Sequence, residues 1–231
     1  MIIETLSTFP NIFDSYMNSS IMRIAQEKGI LDFRSHNLRN WAKGFHKKTD
    51  DKPYGGGCGQ LMMCEPIFKA YDSICANHSS KPFTIFLSPT GKAFNDNEAN
   101  KLKEKESLLF ICGHYEGIDQ RAYTLADQTY SLGDYVLSSG ELASMVIIDA
   151  VVRKLDGVLG AKDGAIDESF NKGLLEYPQY TRPAEFRGMK VPEILLSGDH
   201  KKIEEWKTKQ SEMLTKKFRP DLFYNKKEEN S

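Results

Sequence analysis

Three glycine-rich segments are the parts of this sequence best suited to hold a ligand. They cover residues 50–60 (DDKPYGGGCGQ), 112–119 (CGHYEGID) and 131–141 (SLGDYVLSSGE). Glycine tolerates positive φ and lets a backbone approach a bound group closely. The first segment is not a Walker A loop, because no Gly-Lys-Ser/Thr follows, and Met62 stands where a dinucleotide fingerprint needs its third glycine. It is therefore either a flexible surface loop or a loop whose tip packs against a flat group such as a base.

The other two segments adjoin predicted regular elements. Segment 112–119 comes directly after an apolar run, and ligands in open α/β sheets bind at the carboxyl ends of strands. Tyr115 and Glu116 offer a flat face and an acceptor there, although a plain strand-to-helix turn fits equally well. In segment 131–141, Ser138 and Glu141 fit a capping box ahead of an apolar helix, so we expect Glu141 to cap that helix.

These segments need a sheet to position them, and the hydrophobic pattern predicts one. Strands are predicted at 2–9, 30–38, 82–88 and 108–112, and helices at 11–28, 65–76, 96–105 and after 141. Asn11 is the expected cap of the first helix and Gly29 its expected stop. The run LLFIC is apolar on both faces, which is typical of a buried strand in a parallel sheet. The alternation predicts an α/β domain with a mostly parallel sheet and helices on both faces.

The character of the chain changes after Gly157. Residues 159–172 (LGAKDGAIDESFNK) are small and polar without a period, which predicts a mobile linker. Its acidic pair, Asp167 and Glu168, fits either a solvated loop or a functional site. Residues 200–218 predict a charged helix, and the tail NKKEENS is too polar to pack. We therefore expect a ligand-binding domain over 1–158, a linker over 159–172, and a small helical domain with a disordered tail over 173–231.

Composition indicates an ordinary soluble globular protein. The chain has 40% apolar and 27% charged residues, no secretory layout at its N-terminus and no apolar run of transmembrane length. Four cysteines without a C-x-x-C pair and five scattered histidines argue against a structural zinc site. We expect a cytoplasmic protein with no membrane partner.

Basic residues cluster locally although the formal net charge is −1. That balance argues against a protein that holds nucleic acid by bulk charge, but a local patch is sufficient for binding phosphates. Segment 34–52 contains six Lys and Arg residues against two Asp, with Trp41 and Phe45 among them, and 182–231 contains twelve basic against nine acidic residues. An aromatic-in-basic mixture is typical of RNA sites, and a solvated surface is the equally weighted alternative.

Eight motifs, in order, resemble those of the bacterial tRNA (guanine-N1)-methyltransferases (TrmD). They are PYGGGCG, LSP at 87–89, CGHYEGID, GDYVLSSGEL, IDAVVRKLDGVLG, SFNKGLLEYPQYTRP, VPEILLSGDH and RPDL. The resemblance extends from the N-terminus to about Leu222, which is nearly the whole chain. It implies a deep trefoil knot of the SPOUT class, a fold that composition could not reveal because knots are almost absent from proteins.

The resemblance also implies an activity and its partners. The family methylates N1 of the guanosine just 3′ of the anticodon, at position 37, which maintains the reading frame. S-adenosylmethionine is the implied methyl donor, tRNA the implied substrate, and a homodimer with sites at the subunit interface the implied assembly; no DNA partner is expected. A requirement for Mg²⁺ is left open.

Site residues are implied by position in the matching motifs. Backbone groups of Leu132, Gly133, Tyr135 and Leu137 would bind adenine and ribose. The tRNA would contact the 50–59 loop and the C-terminal domain. The implied donor-binding residues are Leu87, Ser88, Pro89, Gly113, Tyr115, Glu116, Gly117, Leu132, Gly133, Asp134, Tyr135, Val136, Leu137, Ser139 and Gly140. The implied RNA-binding residues are Lys47, Lys48, Asp50, Gly59, Ser197 and His200.

The implied chemistry is direct transfer of a methyl group with a carboxylate base. Guanine N1 becomes a good nucleophile as its proton leaves, and a positioned carboxylate can accept that proton. Glu168 holds the place directly before Ser-Phe where the family usually has aspartate, so we expect Glu168 rather than Asp167 to be the base. Arg153 would stabilise charge developing on guanine O6 or orient the substrates. Ser139 and Cys58, which replace a commoner glycine and proline, remove no essential group.

Two other functions compete with this one. A non-catalytic RNA-binding protein with a decayed methyltransferase fold is disfavoured by the intact donor motifs, Arg153 and the acidic base candidate. A nucleotide-dependent enzyme of ordinary doubly wound fold is disfavoured because both phosphate-loop fingerprints are absent.

Overall fold

The chain divides into two compact units, Met1–Gly160 and Ala161–Ser231. The structure is a computed structural model that describes residues 1–159, 168–170 and 173–223. Most of the predicted linker 159–172 and the predicted disordered tail lie outside the described residues. Among the described helices, none is both long and apolar enough to cross a membrane.

A five-stranded parallel sheet forms the centre of the first unit. Its strands are β1 (Ile2–Ser7), β2 (Asp32–Asn37), β5 (Phe83–Ala93), β6 (Ser107–Ile111) and β7 (Gln128–Ser131), in the order β2-β1-β6-β5-β7. A two-residue antiparallel ladder pairs β3 (Asp50–Asp51) with β4 (Leu61–Met62). The predicted α/β fold with a mostly parallel sheet is confirmed; the knot stays a prediction.

Both faces of the sheet are buried under helices. Leu108 and Phe110 of β6 pack into one apolar cluster, while Leu109 and Ile111 pack into another, because successive side chains of a strand point to opposite faces. All four of these side chains are fully buried. The continuous apolar run in this strand therefore reflects a layer of helices on each side, as predicted.

The helices of the first unit agree with the predicted positions except near the N-terminus. They are α1 (Asp14–Met17), α2 (Ser20–Glu27), α3 (Cys64–Cys75), α4 (Asp96–Lys103) and α5 (Gly140–Val152). The single helix predicted over 11–28 is wrong: a 3-10 turn at Pro10–Phe13 contains Asn11, and the chain breaks again between α1 and α2. Short polar side chains compete for backbone hydrogen bonds there, since the Ser19 hydroxyl donates to the Ser15 carbonyl. Gly29, with φ of +67°, lies just past the end of α2 as predicted.

Strand β5 continues five residues beyond its predicted end. Its pairing with β7 shifts register between Leu87 and Lys92, so residues 88–91 form a bulge, after which Lys92 and Ala93 pair with β7 again. Gly91 lies in this bulge against β7, where an added Cβ would come within 2.5 Å of the Tyr130 backbone. Proline is tolerated at bulges, which explains how Pro89 fits inside a strand of a sheet.

The second unit contains a short hairpin and two helices. The hairpin pairs β8 (Glu185–Phe186) with β9 (Met189–Lys190), and the helices are α6 (Glu193–Leu196) and α7 (His200–Phe218). The predicted charged helix over 200–218 is present as α7. Its Thr215 hydroxyl is buried and accepts a hydrogen bond from the Leu175 backbone N–H (2.8 Å), which fastens the segment after residue 173 to this helix.

Glu4 is a buried carboxylate that joins three elements of the first unit. It lies in β1 and is 2% exposed; its Oε1 is 2.8 Å from His36 Nε2 on β2, and its Oε2 is 2.5 Å from His78 Nε2 beyond α3. Burial alone would raise the pKa of Glu4, but the hydrogen bonds from His36 and His78 outweigh it and hold the pKa below its usual 4.5. The ionised carboxylate therefore stabilises the folded state.

Replacing Glu4 by Gln should lower the free energy of unfolding by about 2–3 kcal/mol at neutral pH, because two charge-assisted hydrogen bonds are weakened. A carboxyl whose folded pKa is lowered contributes stability above its unfolded pKa and loses it as pH falls through the folded pKa. The free energies of unfolding of wild type and Glu4→Gln, measured by urea denaturation, should therefore become more similar below about pH 4.5. Glu27→Gln, which changes an exposed glutamate, is the control; a Glu4→Gln difference that is independent of pH would contradict this account.

Candidate active site

A cavity of about 390 Å³ lies in the first unit, where strands β5, β6 and β7 end. Three loops surround it, and they are the ones predicted to hold the methyl donor. Of the predicted donor-binding residues, only Asp134 does not line the cavity. The residues that line it are Leu87, Ser88, Pro89, Gly113, Tyr115, Glu116, Gly117, Leu132, Gly133, Tyr135, Val136, Leu137, Ser139 and Gly140. The structure therefore brings together residues that are up to 53 positions apart in the sequence.

The first wall is the bulge of β5, which an ion-pair cluster supports. Glu98 of α4 is buried and accepts hydrogen bonds from Lys92, directly after the bulge (2.8 Å), and from the Tyr130 hydroxyl of β7 (2.9 Å). Hydrogen bonds from Lys101 and Lys92 lower the pKa of Glu98 to about 2. The carboxylate thus stays ionised at neutral pH and links α4 to both strands beneath this wall.

The second wall is the loop after β6. Tyr115 has φ of +59° and Gly117 φ of +132°, so the chain turns sharply here. The glycine-rich segment 50–60 packs behind this wall: the Glu116 N–H donates to the Gln60 carbonyl oxygen (3.1 Å). A Cβ on Gly59 would lie 2.3 Å from the Glu116 side chain, so a larger residue at 59 would displace Glu116. The loop predicted to contact RNA and the wall of the cavity are therefore one packed structure.

The third wall is the segment before α5, which presses against the end of β6. The Gly140 N–H donates to the Gly113 carbonyl oxygen (2.7 Å), and a Cβ on Gly140 would come within 2.6 Å of the Gly113 nitrogen. Within this wall, Tyr135 is 57% and Val136 90% exposed. Apolar side chains with this much exposure favour a surface that a ligand or partner covers.

The predicted capping box ahead of α5 is wrong. Ser139 rather than Ser138 occupies the N-cap position, and it makes no side-chain capping bond. Glu141 is instead fully buried and accepts a hydrogen bond from the Ser7 hydroxyl at the end of β1. The tertiary contact replaces the local one because α5 begins directly against the sheet. The other oxygen, Oε2, has no hydrogen-bond partner and lies 3.9 Å from the Nδ1 of His114, which is also buried and unpartnered.

His114 and Glu141 are residues of this site that the sequence did not reveal as a pair. His114 lines the cavity, and its ring packs on Phe9 (4.7 Å between centroids) and Tyr115 (4.9 Å). The available signal in the sequence was a glutamate near the start of an otherwise apolar helix. Such a residue either caps the helix or is buried with a polar partner. An unpaired buried polar atom costs about 1–3 kcal/mol, so two of them facing each other need an explanation.

Cys112, which directly follows β6, has no features of a nucleophile. Burial, with a smaller contribution from the negative charge of Glu141, raises the pKa of its thiol far above the usual value. The thiol is fully buried and lies 3.3 Å from the Ser144 hydroxyl. This arrangement agrees with direct transfer between bound substrates rather than with a covalent cysteine intermediate.

The predicted catalytic residues belong to both units. Arg153 is the C-cap residue of α5 in the first unit. Glu168 is half-buried in the second unit and lines a cleft of about 220 Å³ together with Glu204, Lys207 and Glu212 of α7. Asp167 lies outside the described residues. Their catalytic roles stay predictions.

The predicted RNA-binding residues lie on exposed or half-buried parts of both units. Lys47 and Lys48 are exposed, and the Lys48 ammonium is 3.0 Å from the Asp51 carboxylate. Asp50 is half-buried in β3. Ser197 ends α6, and His200, which is exposed, begins α7. In the described part of the chain, no three or more His, Cys, Asp or Glu residues form a group that could hold a metal ion.

Known proteins resemble this chain along nearly its whole length. The family model described as tRNA (Guanine-1)-methyltransferase TrmD matches residues 1–225. A tRNA (guanine-N(1)-)-methyltransferase of Carboxydothermus hydrogenoformans is 54% identical over 223 residues, covering 96% of this chain and 87% of that protein. Proteins of the same name from Shouchella clausii and Clostridioides difficile are 49% and 46% identical, each over 96% of this chain and over 91% and 97% of their own lengths. Because this family model matches nearly the whole chain and the relatives are this similar, the chain belongs to the tRNA (guanine-N1)-methyltransferase family.

Proposed function

We propose that this protein transfers a methyl group from S-adenosylmethionine to N1 of the guanosine at position 37 of tRNA. The observation that carries the proposal is the meeting of three loops around one cavity, each from a motif of the family. In the reaction, the bond from sulfur to methyl breaks as the bond from N1 to methyl forms. The N1 proton passes to a base, and S-adenosylhomocysteine leaves. We place this reaction in the cytoplasm, where tRNA is used.

The cavity has the chemistry that the methyl donor needs. Tyr115 and Tyr135 offer aromatic faces, and the glycines at 113, 117, 133 and 140 carry no side chain, so a bound group can approach the backbone of the walls closely. Glu116 is the only formally charged side chain among its described lining residues. A negative wall favours a ligand that carries a positive sulfonium, because the Coulomb interaction is stronger in a partly dry site than in water.

Glu168 and Arg153 are the proposed catalytic side chains. Glu168 would take the N1 proton, and Arg153 would stabilise the negative charge that develops on O6. The remaining contribution of the enzyme is alignment of N1 with the methyl group, which lowers the entropic part of the barrier. Whether Mg²⁺ assists is decided by comparing activity in EDTA with activity after Mg²⁺ is restored.

The proposed assembly is a homodimer, and an exposed apolar surface supports it. Ile12 and Tyr16 near the N-terminus, and Leu142 and Val146 of α5, are between 37% and 49% exposed. The Tyr16 hydroxyl donates to the Asp149 carboxylate (2.5 Å), which holds the two segments side by side. Burial and this bond raise the pKa of Tyr16 to about 12, so the hydroxyl keeps its proton at neutral pH.

A non-catalytic RNA-binding protein is the alternative function. It would bind tRNA through the basic segment 34–52 without needing the donor. Calorimetric titration separates the two functions, because the proposed enzyme binds S-adenosylmethionine at one site per chain and the alternative shows no heat of binding.

Replacing Glu168 by Gln should lower the single-turnover rate of methyl transfer by roughly 10²–10⁴-fold, the usual contribution of a general base. The shape of the side chain is kept and only its basicity is lost, so donor affinity should change little. Asp167→Asn should have a far smaller effect. Glu212→Gln is the matched control, because it removes the same charge from the same cleft.

A larger defect in Asp167→Asn than in Glu168→Gln would move the base one residue upstream. Near-normal rates in both variants would show that neither carboxylate is the base.

Replacing Lys47 and Lys48 by Ala should weaken tRNA binding, most strongly at low salt, and leave donor binding unchanged. Each lysine that contacts a phosphate contributes about one unit to the slope of log affinity against log salt. The slope should therefore become shallower by roughly 1–2 units in the double variant. Lys103→Ala with Lys105→Ala makes the same charge change at the end of α4 and should leave the slope unaltered. A wild-type slope near zero would contradict the role of these lysines.

Replacing Val146 by Glu should convert the dimer to a monomer, because a charge would be buried in the proposed interface. Sedimentation velocity at micromolar concentration measures the change. Met213→Glu is the control, since Met213 has a similar exposure of 54% on α7 of the other unit. A wild-type protein that sediments as a monomer with full activity would refute the proposed assembly.

A further inference from the structure

Glu141 and His114 face each other behind the cavity wall with an unusual pattern of unmet hydrogen bonds. The Glu141 side chain is 0% exposed, and its Oε1 already accepts from the Ser7 hydroxyl. Its Oε2 and the Nδ1 of His114 are both buried, both without a hydrogen-bond partner, and 3.9 Å apart. A shift of about 1 Å would convert this pair into a normal N–H···O bond. The geometry therefore favours a proton on Nδ1, directed at Glu141.

The surroundings of His114 keep its ring in this orientation. The imidazole packs on Phe9 and Tyr115, with centroids 4.7 and 4.9 Å away. The backbone N–H of His114 donates to the Met62 sulfur at 3.1 Å, which holds the main chain. Since Nδ1 is buried, the exposed 26% of the side chain is the opposite edge of the ring, which carries Nε2.

A proton on Nδ1 makes Nε2 an acceptor. In neutral imidazole one nitrogen donates and the other accepts, and a carboxylate beside one nitrogen selects which. His114 lines the cavity, so this acceptor is available to a ligand there. Among the described residues that line the cavity, only Glu116 has a formally charged side chain, and Glu141 places a second carboxyl group behind the wall. The preferred ligand group is therefore a cationic hydrogen-bond donor.

We propose that Glu141 and His114 form a dyad that recognises the α-ammonium group of the methyl donor. Glu141 is a positioning residue that accepts the Nδ1–H bond, and His114 binds the ammonium through Nε2. This inference rests on the proposed function, because the donor supplies the ammonium group. The dyad takes no part in the transfer itself, and it sets which ligands the cavity accepts.

Two amide variants of His114, each of which keeps a polar group near one ring nitrogen, test the dyad. Asn places its amide near the position of Nδ1, whereas Gln places its amide near the position of Nε2. His114→Gln should therefore retain an acceptor for the ammonium, while His114→Asn should lose it. Glu141→Gln keeps the bond to Ser7 but turns an amide N–H toward Nδ1, which moves the imidazole proton to Nε2 and converts the acceptor into a donor. Ser144→Ala changes a neighbouring buried hydroxyl of α5 and is the control.

Calorimetry with three ligands identifies the recognised group. S-adenosylmethionine and S-adenosylhomocysteine both carry the ammonium group, and 5′-methylthioadenosine lacks the amino-acid part. His114→Asn and Glu141→Gln should lower the affinity for the first two ligands by about tenfold or more, which corresponds to about 1.4 kcal/mol. They should leave the affinity for 5′-methylthioadenosine unchanged, and His114→Gln should stay within about threefold of wild type for all three ligands.

Three results would overturn the dyad. If the variants lose affinity equally for all three ligands, the pair only supports the wall. If they lose affinity for S-adenosylmethionine alone, the pair recognises the sulfonium. Equal affinities in His114→Asn and His114→Gln would remove the role of Nε2. If Glu141→Gln does not fold, as judged by circular dichroism, the two His114 variants still decide. A wild-type protein that binds neither S-adenosylmethionine nor S-adenosylhomocysteine would contradict the proposed function instead.

Discussion

The contact between the start of α5 and the end of β6 is the constraint on which the cavity depends. One hydrogen bond, from the Gly140 N–H to the Gly113 carbonyl oxygen (2.7 Å), joins two of the three loops. The backbones approach so closely that a Cβ on Gly140 would lie 2.6 Å from the Gly113 nitrogen. Without this approach the segment before α5 would not close the cavity. The same contact places Glu141 inside the protein, where its carboxylate reaches the end of β1.

Local patterns in the sequence predicted the elements but not every contact between them. The run LLFIC indicated a buried strand because a strand covered on both faces has no polar side. The capping box at Ser138 and Glu141 failed because the partner that Glu141 selects, Ser7, is 134 positions away in the chain. The predicted end of β5 at residue 88 was wrong for the same reason, since the bulge that follows exists only in the pairing with β7. The break between α1 and α2 could have been predicted from the polar run at 18–20, because its short side chains compete with the backbone for helical hydrogen bonds.

The candidate site was predictable chiefly through family resemblance. Glycines alone left segment 50–60 open to a flexible surface loop and segment 112–119 open to a plain turn, because glycine serves backbone geometry as often as ligand binding. The motifs together named fifteen donor-binding residues, and the structure gathers all of them except Asp134 around one cavity. The pairing of His114 with Glu141 could not be predicted, because no sequence pattern shows that Nδ1 and Oε2 lie 3.9 Å apart. The net charge of the chain likewise does not show how its charges are distributed. A basic segment at 34–52 and an acidic side chain at the cavity wall occur together in a chain of net charge −1.

The central claim is that this chain methylates one nitrogen of one nucleotide. The most direct measurement is methyl transfer from S-adenosylmethionine to tRNA transcripts that differ only in the nucleotide 3′ of the anticodon. Primer extension then locates the product, because a methyl group on N1 blocks base pairing and stops the polymerase. We expect transfer to the guanosine transcript, a stop at that nucleotide and no transfer to the adenosine transcript. Methylation of both transcripts, or a stop at another nucleotide, would contradict it.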